Sequence, residues 1–448
     1  MSKKVLILGN GVAGFTAAAT VREQDAECEI VMMTVEGERF YNRMLLSKAL
    51  ADEKMLKDIY MEDENWYREH RIVNLLHCRV VSICPEKKYV EYEDVCETAV
   101  TASDSGAPVE SRKRENYDIL IYALGAHAMI PAIPGVEQRG VMALRTIADA
   151  KRAQEELVKA HRVVVIGGGI LGLEAAWQCR HAGKEVVIIE AEELLMGKQL
   201  DEEGSEFLQH LLKDKGISVM TGKTVMEILT DLERAAISGV LVADSVQDTS
   251  RHDIAGVTES AATQQTISCD MVLVACGIVP NTKLAMESGL GVGRGVIVDE
   301  HMHTTSSGIY ACGDCAQFKD CREIHGLWGE AKSMGETAGK NAAAALRGET
   351  ENEVYEQGRA AFYFKGLDTV IFSIGQTAKR QDSLTDWSIR RGIEHEQYRD
   401  ASAGKYEKYY YHNETLVGAI LIGAPEKIGE VNEKIGVLRT SSKVCEKS

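Results

Sequence analysis

Apolar positions in this chain gather into short unbroken runs divided by glycines and polar stretches. Val5-Leu6-Ile7-Leu8, Arg162-Val163-Val164-Val165-Ile166 and Glu185-Val186-Val187-Ile188-Ile189 are rich in β-branched residues, the pattern of strands buried on both faces. Each of the first two runs into a glycine-rich turn and then an alanine-rich stretch, Phe15 to Val21 and Leu173 to His181, which read as helices. Glu29 to Met33 and Glu185 to Glu190 are the strands that follow them. Strand, helix, strand in this order gives parallel sheets, so the expected fold class is α/β with two Rossmann-like dinucleotide-binding units. A helix over Asn65 to Arg71 and short strands around Val80 to Ile83 and Lys88 to Tyr92 follow the first unit. Tyr117 to Gly125 and Met271 to Gly277 are buried strands ending in small residues, and the segments 118–125 and 270–277 are internal counterparts, as a duplicated architecture requires.

A third strand, Gly308 to Ala311, runs into Cys312-Gly313-Asp314 just ahead of a long helix, Gly329 to Leu346. Ala331, Gly335, Ala338 and Ala342 share one narrow face of that helix, suited to press on a sheet or a flat ring. Beyond about residue 350 come short strands, Thr369 to Gly375, Tyr406 to Tyr411 and Thr415 to Ile422, with a helix-like tail, the mark of a C-terminal α+β unit. Cys96 to Asn116 and Ala243 to Ser268 read as exposed polar loops, and the basic run Arg112-Lys113-Arg114 as a solvated tip, with docking of an acidic partner the other reading. Pro131 to Gly135 marks a crossing between units. The expected division is 1–120 with 276–345, then 121–275, then 350–448.

The glycine-rich turns carry the candidate chemistry. Gly9-Asn10-Gly11-Val12-Ala13-Gly14 and Gly167-Gly168-Gly169-Ile170-Leu171-Gly172 are both dinucleotide-binding fingerprints. Gly9 and Gly167 allow the tight turn, Gly11 and Gly169 let a pyrophosphate approach the backbone, and Gly14 and Gly172 let helix and strand pack closely. The phosphates then meet the N–H groups of the helix start. Glu190, ending the strand after the second fingerprint, is placed to hydrogen-bond a ribose 2′-hydroxyl and repel a 2′-phosphate, which favours NADH. Glu36 is its candidate counterpart in the first unit, and Val80, Ala123, Gly125 and Gly277 are further candidate cofactor contacts. One nucleotide fold binds one cofactor, so two imply a relay.

At 448 residues, 45% hydrophobic and 27% charged, the chain fits two or three ordinary globular domains. The first strand begins too early for a leader peptide, and no apolar stretch approaches a membrane span, so a cytoplasmic protein is expected. Eleven cysteines scattered singly fit reduced thiols. A net charge of −17 argues against nucleic acid or an anionic membrane as a global partner. Cys312 and Cys315 have CxxC spacing, with Cys321 nearby, but a second ligand pair is missing and no metal is expected. Cys315, at an expected helix start, could have a lowered pKa; a packed thiol is the favoured reading.

With these segments placed, the chain resembles the FAD-dependent pyridine nucleotide oxidoreductases with two dinucleotide-binding domains. Phe40-Tyr41-Asn42-Arg43-Met44-Leu45-Leu46-Ser47-Lys48 resembles the branch of rubredoxin and ferredoxin reductases and the flavin module of NADH-dependent nitrite reductases. The resemblance implies FAD at the first fingerprint, NADH at the second, and Gly313-Asp314 at the ribityl chain, where Asp314 accepts from its hydroxyls and the N–H groups after it face phosphate. It implies Lys48 as a cation near the flavin N5, paired with Glu174, and Trp328 as a cover for the ring. The planar fork of Arg43 suits stacking on or pairing with the cofactor. The C-terminal unit would form an interface, opening the way to a homodimer.

One departure decides the chemistry. The disulfide reductases of this class carry two cysteines four residues apart where this chain has Asn42 to Ser47 and no cysteine. The expected activity is therefore an NADH-dependent FAD oxidoreductase that hands electrons to an acceptor outside the chain, a small redox protein of rubredoxin or ferredoxin type or a nitrite-reducing partner. An NADH oxidase reducing oxygen and a redox-responsive regulatory protein binding FAD and NADH are the alternatives.

Overall fold

The computed structural model describes residues 3–95, 112–231, 236–245, 264–321, 323–356, 361–377 and 392–438. The chain forms two compact units. One comprises Met1–Leu46, Lys54–Ala128 and Ile278–Gly358; the other comprises Ser47–Glu53, Met129–Gly277 and Arg359–Ser448.

At the centre of the first unit is a parallel five-stranded sheet in the order Ile309–Ala311, Ile119–Tyr122, Lys4–Leu8, Glu29–Met33, Ile72–Leu75. Val5 to Leu8 are fully buried, as their unbroken apolar run requires. The fingerprint helix, Val12–Gln24, packs against the long helix Trp328–Arg347. A Cβ at Gly335 would stand 2.3 Å from the carbonyl oxygen of Ala13, and one at Gly339 2.8 Å from that of Ala17. The small-residue face of the long helix thus meets another helix at close range, rather than the sheet or ring expected. Strands Cys78–Cys84, Tyr89–Asp94 and Lys113–Asn116 form an antiparallel sheet beside it. Lys113 and Arg114 therefore lie in a strand, ion-paired to Asp94 and Glu91, and not at a loop tip. The helix expected over Asn65 to Arg71 spans Glu64–Glu69; it stops short because Arg71 takes a left-handed φ of 50°.

The second unit repeats this design. Its parallel sheet has the order Ile217–Met220, Glu185–Ile189, Arg162–Ile166, Met271–Val274, Val141–Ala143. Val5 pairs with Ile119 in one sheet and Val163 with Met271 in the other, so the small-residue strands are true counterparts. A second antiparallel sheet, Lys223–Asp231, Ala236–Asp244 and Gln265–Ser268, also mirrors the first unit. Both ends of the loop expected over Ala243 to Ser268 are thus strand; residues 96–111 and 246–263, the rest of the two expected loops, lie outside the described residues.

The C-terminal sheet runs Ala361–Gly366, Thr369–Gly375, Thr415–Ile422, Lys405–His412, Ile393–Asp400, followed by the helix Ile428–Lys434. It is tied to the same unit through Asp201, the N-cap of helix Glu202–Asp214. The buried Asp201 carboxylate accepts from Lys408 Nζ at 2.6 Å, the Tyr410 hydroxyl at 2.9 Å and the Tyr406 hydroxyl at 3.1 Å.

Candidate cofactor and catalytic site

The two fingerprints solve one steric problem twice. Gly9 has φ +106°, and a Cβ there would lie 2.2 Å from the Ala123 carbonyl oxygen; Gly167 has φ +109°, and a Cβ would lie 2.4 Å from that of Ala275. Gly14 and Gly172 sit so close to the preceding turn that a Cβ would come within 2.1 Å of the Gly9 oxygen and 2.0 Å of the Gly167 oxygen. Gly11 and Gly169 have nothing within 4 Å of the same position. Each caps a helix that begins at Val12 or Ile170 with no side-chain capping bond, so backbone N–H groups of the first turn, Ala13 and Leu171 included, face an open cradle. That geometry fits a pyrophosphate at both places.

In the first unit Glu36 and Arg43 bind each other. The Arg43 guanidinium is ion-paired with Glu36 and donates to the Tyr41 hydroxyl at 2.7 Å; Tyr41 donates in turn to Glu36 at 2.6 Å. Burial would lower the Arg43 pKa, but the charge of Glu36 outweighs it, so the pKa is raised and the cation is secure. Beside this trio, Glu38, Arg39, Tyr67 and Asn74 line a cleft at the ends of the second and third strands, the place where a Rossmann fold receives the adenosine half of a dinucleotide. Asn10 donates to Tyr67 at 3.2 Å and to Asn74 at 3.3 Å across it. These residues were missed in the sequence because each contributes alone, with no spacing signal; only their place after a strand could have marked them. Val80 stands at a β-bulge in its strand.

Asp314 lies in the turn from Gly313 to Cys315, where a Cβ on Gly313 would come 2.8 Å from that of Ala13 in the fingerprint helix. The turn enters strand Ala316–Phe318, so neither Asp314 nor Cys315 stands at a helix start; the long helix begins only at Trp328. There the Trp328 ring stacks on Phe40 at 5.9 Å, and Phe40 stacks on Phe15 at 4.2 Å. Gly125, at φ +63°, accepts from the Asn281 N–H at 2.9 Å.

In the second unit Ser47, on the helix Leu46–Ala49, donates its hydroxyl to Glu174 at 2.7 Å. Glu174 is on the fingerprint helix Ile170–His181. Burial, the largest influence, raises the Glu174 carboxyl, opposed by the Ser47 hydrogen bond and then by the charge of Lys48. The expected direct Lys48–Glu174 pair is thus corrected: among the described residues the direct partner is Ser47, the neighbouring residue on the same short helix, and Lys48 acts as a nearby charge. Glu190 is fixed at the tip of its strand, accepting from the N–H of Gly168 at 2.6 Å and that of Glu192 at 2.8 Å. Gly277, at φ +104°, has open space at its Cβ position.

The family model described as pyridine nucleotide-disulphide oxidoreductase matches residues 3–347. The chain belongs to this family. It is 29% identical over 425 residues to nitrite reductase (NAD(P)H) of Bacillus subtilis (strain 168), covering 94% of this chain and 46% of that protein, so it spans about half the length of that relative. It is 31% identical over 313 residues to rubredoxin-NAD(+) reductase of Pseudomonas putida, covering 70% of this chain and 71% of that one. Among solved structures, NADH:rubredoxin oxidoreductase from Clostridium acetobutylicum matches with a TM-score of 0.72 at 25% identity, covering all of this chain and 98% of the other. The resemblance read from Phe40 to Lys48 holds, and FAD and NADH are the cofactors that family and fold assign.

Asn42 to Ser47 holds no cysteine. Cys312 and Cys315 are fully buried, and the Cys315 thiol donates to the Cys312 carbonyl at 3.3 Å. Burial pushes the Cys315 thiol up to about 12 and that of Cys312 well above the ordinary range, so both are packed thiols rather than nucleophiles. Among the described residues no helix is long and apolar enough to cross a membrane.

Proposed function

We propose that this protein is an NADH-dependent flavin reductase that passes electrons from NADH through FAD to an external acceptor, a small redox protein of rubredoxin or ferredoxin type or a nitrite-reducing partner. The observation that carries the reading is the cysteine-free segment Asn42 to Ser47, followed at once by Lys48. When bound, FAD supplies the capacity to take a hydride from NADH and to release electrons singly. The chain's own residues do the rest. Helix N–H groups beside Gly11 and Gly169 bind the two pyrophosphates, and Glu190 orients the NADH ribose. Arg43, fixed by Glu36 and Tyr41, offers a rigid cation to the flavin nucleotide, and Asp314 accepts from ribityl hydroxyls. With FAD bound, Lys48 would offer a cation to the electron-rich reduced ring, with Glu174 as a nearby counter-charge and Ser47 fixing Glu174 by its hydrogen bond. Trp328 shields the ring from water.

The division into an FAD-binding domain (1–120 and 276–345), an NAD-binding domain (121–275) and a C-terminal interface domain (350–448) belongs to the same reading, as do a homodimer through the last of these and a cytoplasmic location, for which free thiols are the support. Mixing the NADH-reduced protein with rubredoxin, ferredoxin or oxygen in a stopped-flow instrument tests the reading. Rapid reoxidation by a protein carrier and slow reoxidation by oxygen are expected; rapid reoxidation by oxygen alone would mark an NADH oxidase.

A further inference from the structure

The segment leading into helix Trp328–Arg347 carries an ion cluster that the reading above leaves unused. Nδ1 of His325 lies 2.9 and 3.0 Å from the two carboxylate oxygens of Glu330, in the first turn of that helix, and Nε2 lies 3.2 Å from Glu323. The side chains of His325 and Glu330 are 19% and 21% exposed. Both line a depression that Asp314 and Gly313 also line. With a carboxylate at each ring nitrogen, both nitrogens must carry hydrogen for the cluster to be satisfied, which only the imidazolium achieves.

The helix has no side-chain cap of its own, and the residue before Leu327, its N-cap, is Gly326 at φ +67°. The His325–Glu330 bridge spans this turn and fixes where the helix begins, and hence where Trp328 stands against Phe40. We propose that His325 is a positioning residue for FAD: as a cation bridging Glu323 and Glu330, it holds residues 323–328 in the arrangement that presents Trp328 and Asp314 to the flavin. This rests on the cofactor roles given to Trp328 and Asp314 above.

The titratable groups facing the ring are Glu323 on its own segment, Glu330 on the helix, Asp314 on the preceding turn and Tyr355 after the helix. The two carboxylates bonded to the ring favour the cation, while the Tyr355 phenol, pushed up to about 12 by burial, is neutral. The hydrogen bond to Glu330, the largest influence, outweighs burial and raises the His325 pKa. The bridge is therefore intact below that raised value and is lost as pH rises through it. A neutral ring leaves one carboxylate without a donor and frees the turn, so FAD is released faster at alkaline pH.

The test is the rate of FAD release from the holoprotein, read as recovered flavin fluorescence across neutral to alkaline pH, with the His325 ring followed by NMR. Wild type is expected to release FAD about three- to tenfold faster above the transition, the loss expected for one partly screened charged bond. His325→Gln and Glu330→Gln are each expected to release at the faster rate with no transition at all. A His325→Gln profile that superimposes on wild type, or a ring that titrates at or below the ordinary histidine value, overturns the proposal. Wild-type protein that takes up no FAD at any pH overturns instead the cofactor reading on which it rests.

Discussion

Replacing Ser47 by alanine tests what controls the charge on Glu174. Ser47 is 1% exposed, and its hydroxyl donates to Glu174 at 2.7 Å. Burial raises this carboxyl, and the serine bond and the Lys48 charge are what oppose it. A hydrogen bond to a charged group contributes about 1.5–3 kcal/mol. Glu174 is only partly buried, so the low end applies, and removing the hydroxyl moves its protonation equilibrium roughly tenfold toward the neutral acid. Lys48 then loses its counter-charge at a higher pH than in wild type, as pH falls through the raised Glu174 value. The assay is anaerobic stopped-flow bleaching of the flavin by NADH in wild type, Ser47→Ala and Ser47→Thr. Ser47→Ala is expected to be up to about tenfold slower on the acid side of the Glu174 transition and close to wild type at alkaline pH, with threonine restoring the profile. Identical profiles, or an equal loss at every pH, would refute the role given to Ser47.

Three further outcomes follow from the geometry. Gly172→Ala puts a Cβ 2.0 Å from a backbone oxygen and should cost about 1–3 kcal/mol or more in urea unfolding, whereas Gly169→Ala meets nothing within 4 Å and should keep its stability while losing NADH affinity. Glu190→Ala should lower the preference for NADH over NADPH in flavin reduction by about tenfold, the loss of one charged hydrogen bond; a native protein that already prefers NADPH contradicts the assignment. Burial, the largest influence, would raise the carboxyl of Asp201, but Lys408, the Gly204 N–H and Tyr410 outweigh it and hold it below the ordinary range. That contribution is present above the unfolded carboxyl's pKa and lost as pH falls through the lowered one. Lys408→Met should thus cost about 3–5 kcal/mol near neutrality and markedly less in acid, as read by urea unfolding; an equal cost at both would count against it.

What could be read in the sequence was local or repeated. The fingerprint glycines announce themselves because their roles are backbone roles, fixed within six residues, and the second copy confirms the first strand by strand. The position of Glu190 at a strand end was legible because the apolar run before it stops there. Partnerships between side chains were not. Nothing in the order of residues says that Glu36, Tyr41 and Arg43 close on one another, or that Ser47 rather than Lys48 reaches Glu174, because side-chain direction and turn geometry decide both. The small face of the long helix announced a close approach but not its partner, since Gly335 suits a helix as well as a sheet. The helix start expected at Cys315 is instead strand Ala316–Phe318, made by pairing with Val296–Val298, a long-range contact with no local pattern.

The central claim is that the relay inside this chain ends at the flavin. Anaerobic titration of the FAD-loaded protein with NADH, followed by flavin absorbance and by counting free thiols, tests it most directly. Full bleaching is expected at about one NADH per FAD, with the thiol count unchanged. Uptake of a second equivalent, with new thiols appearing, would reveal a hidden dithiol and contradict it.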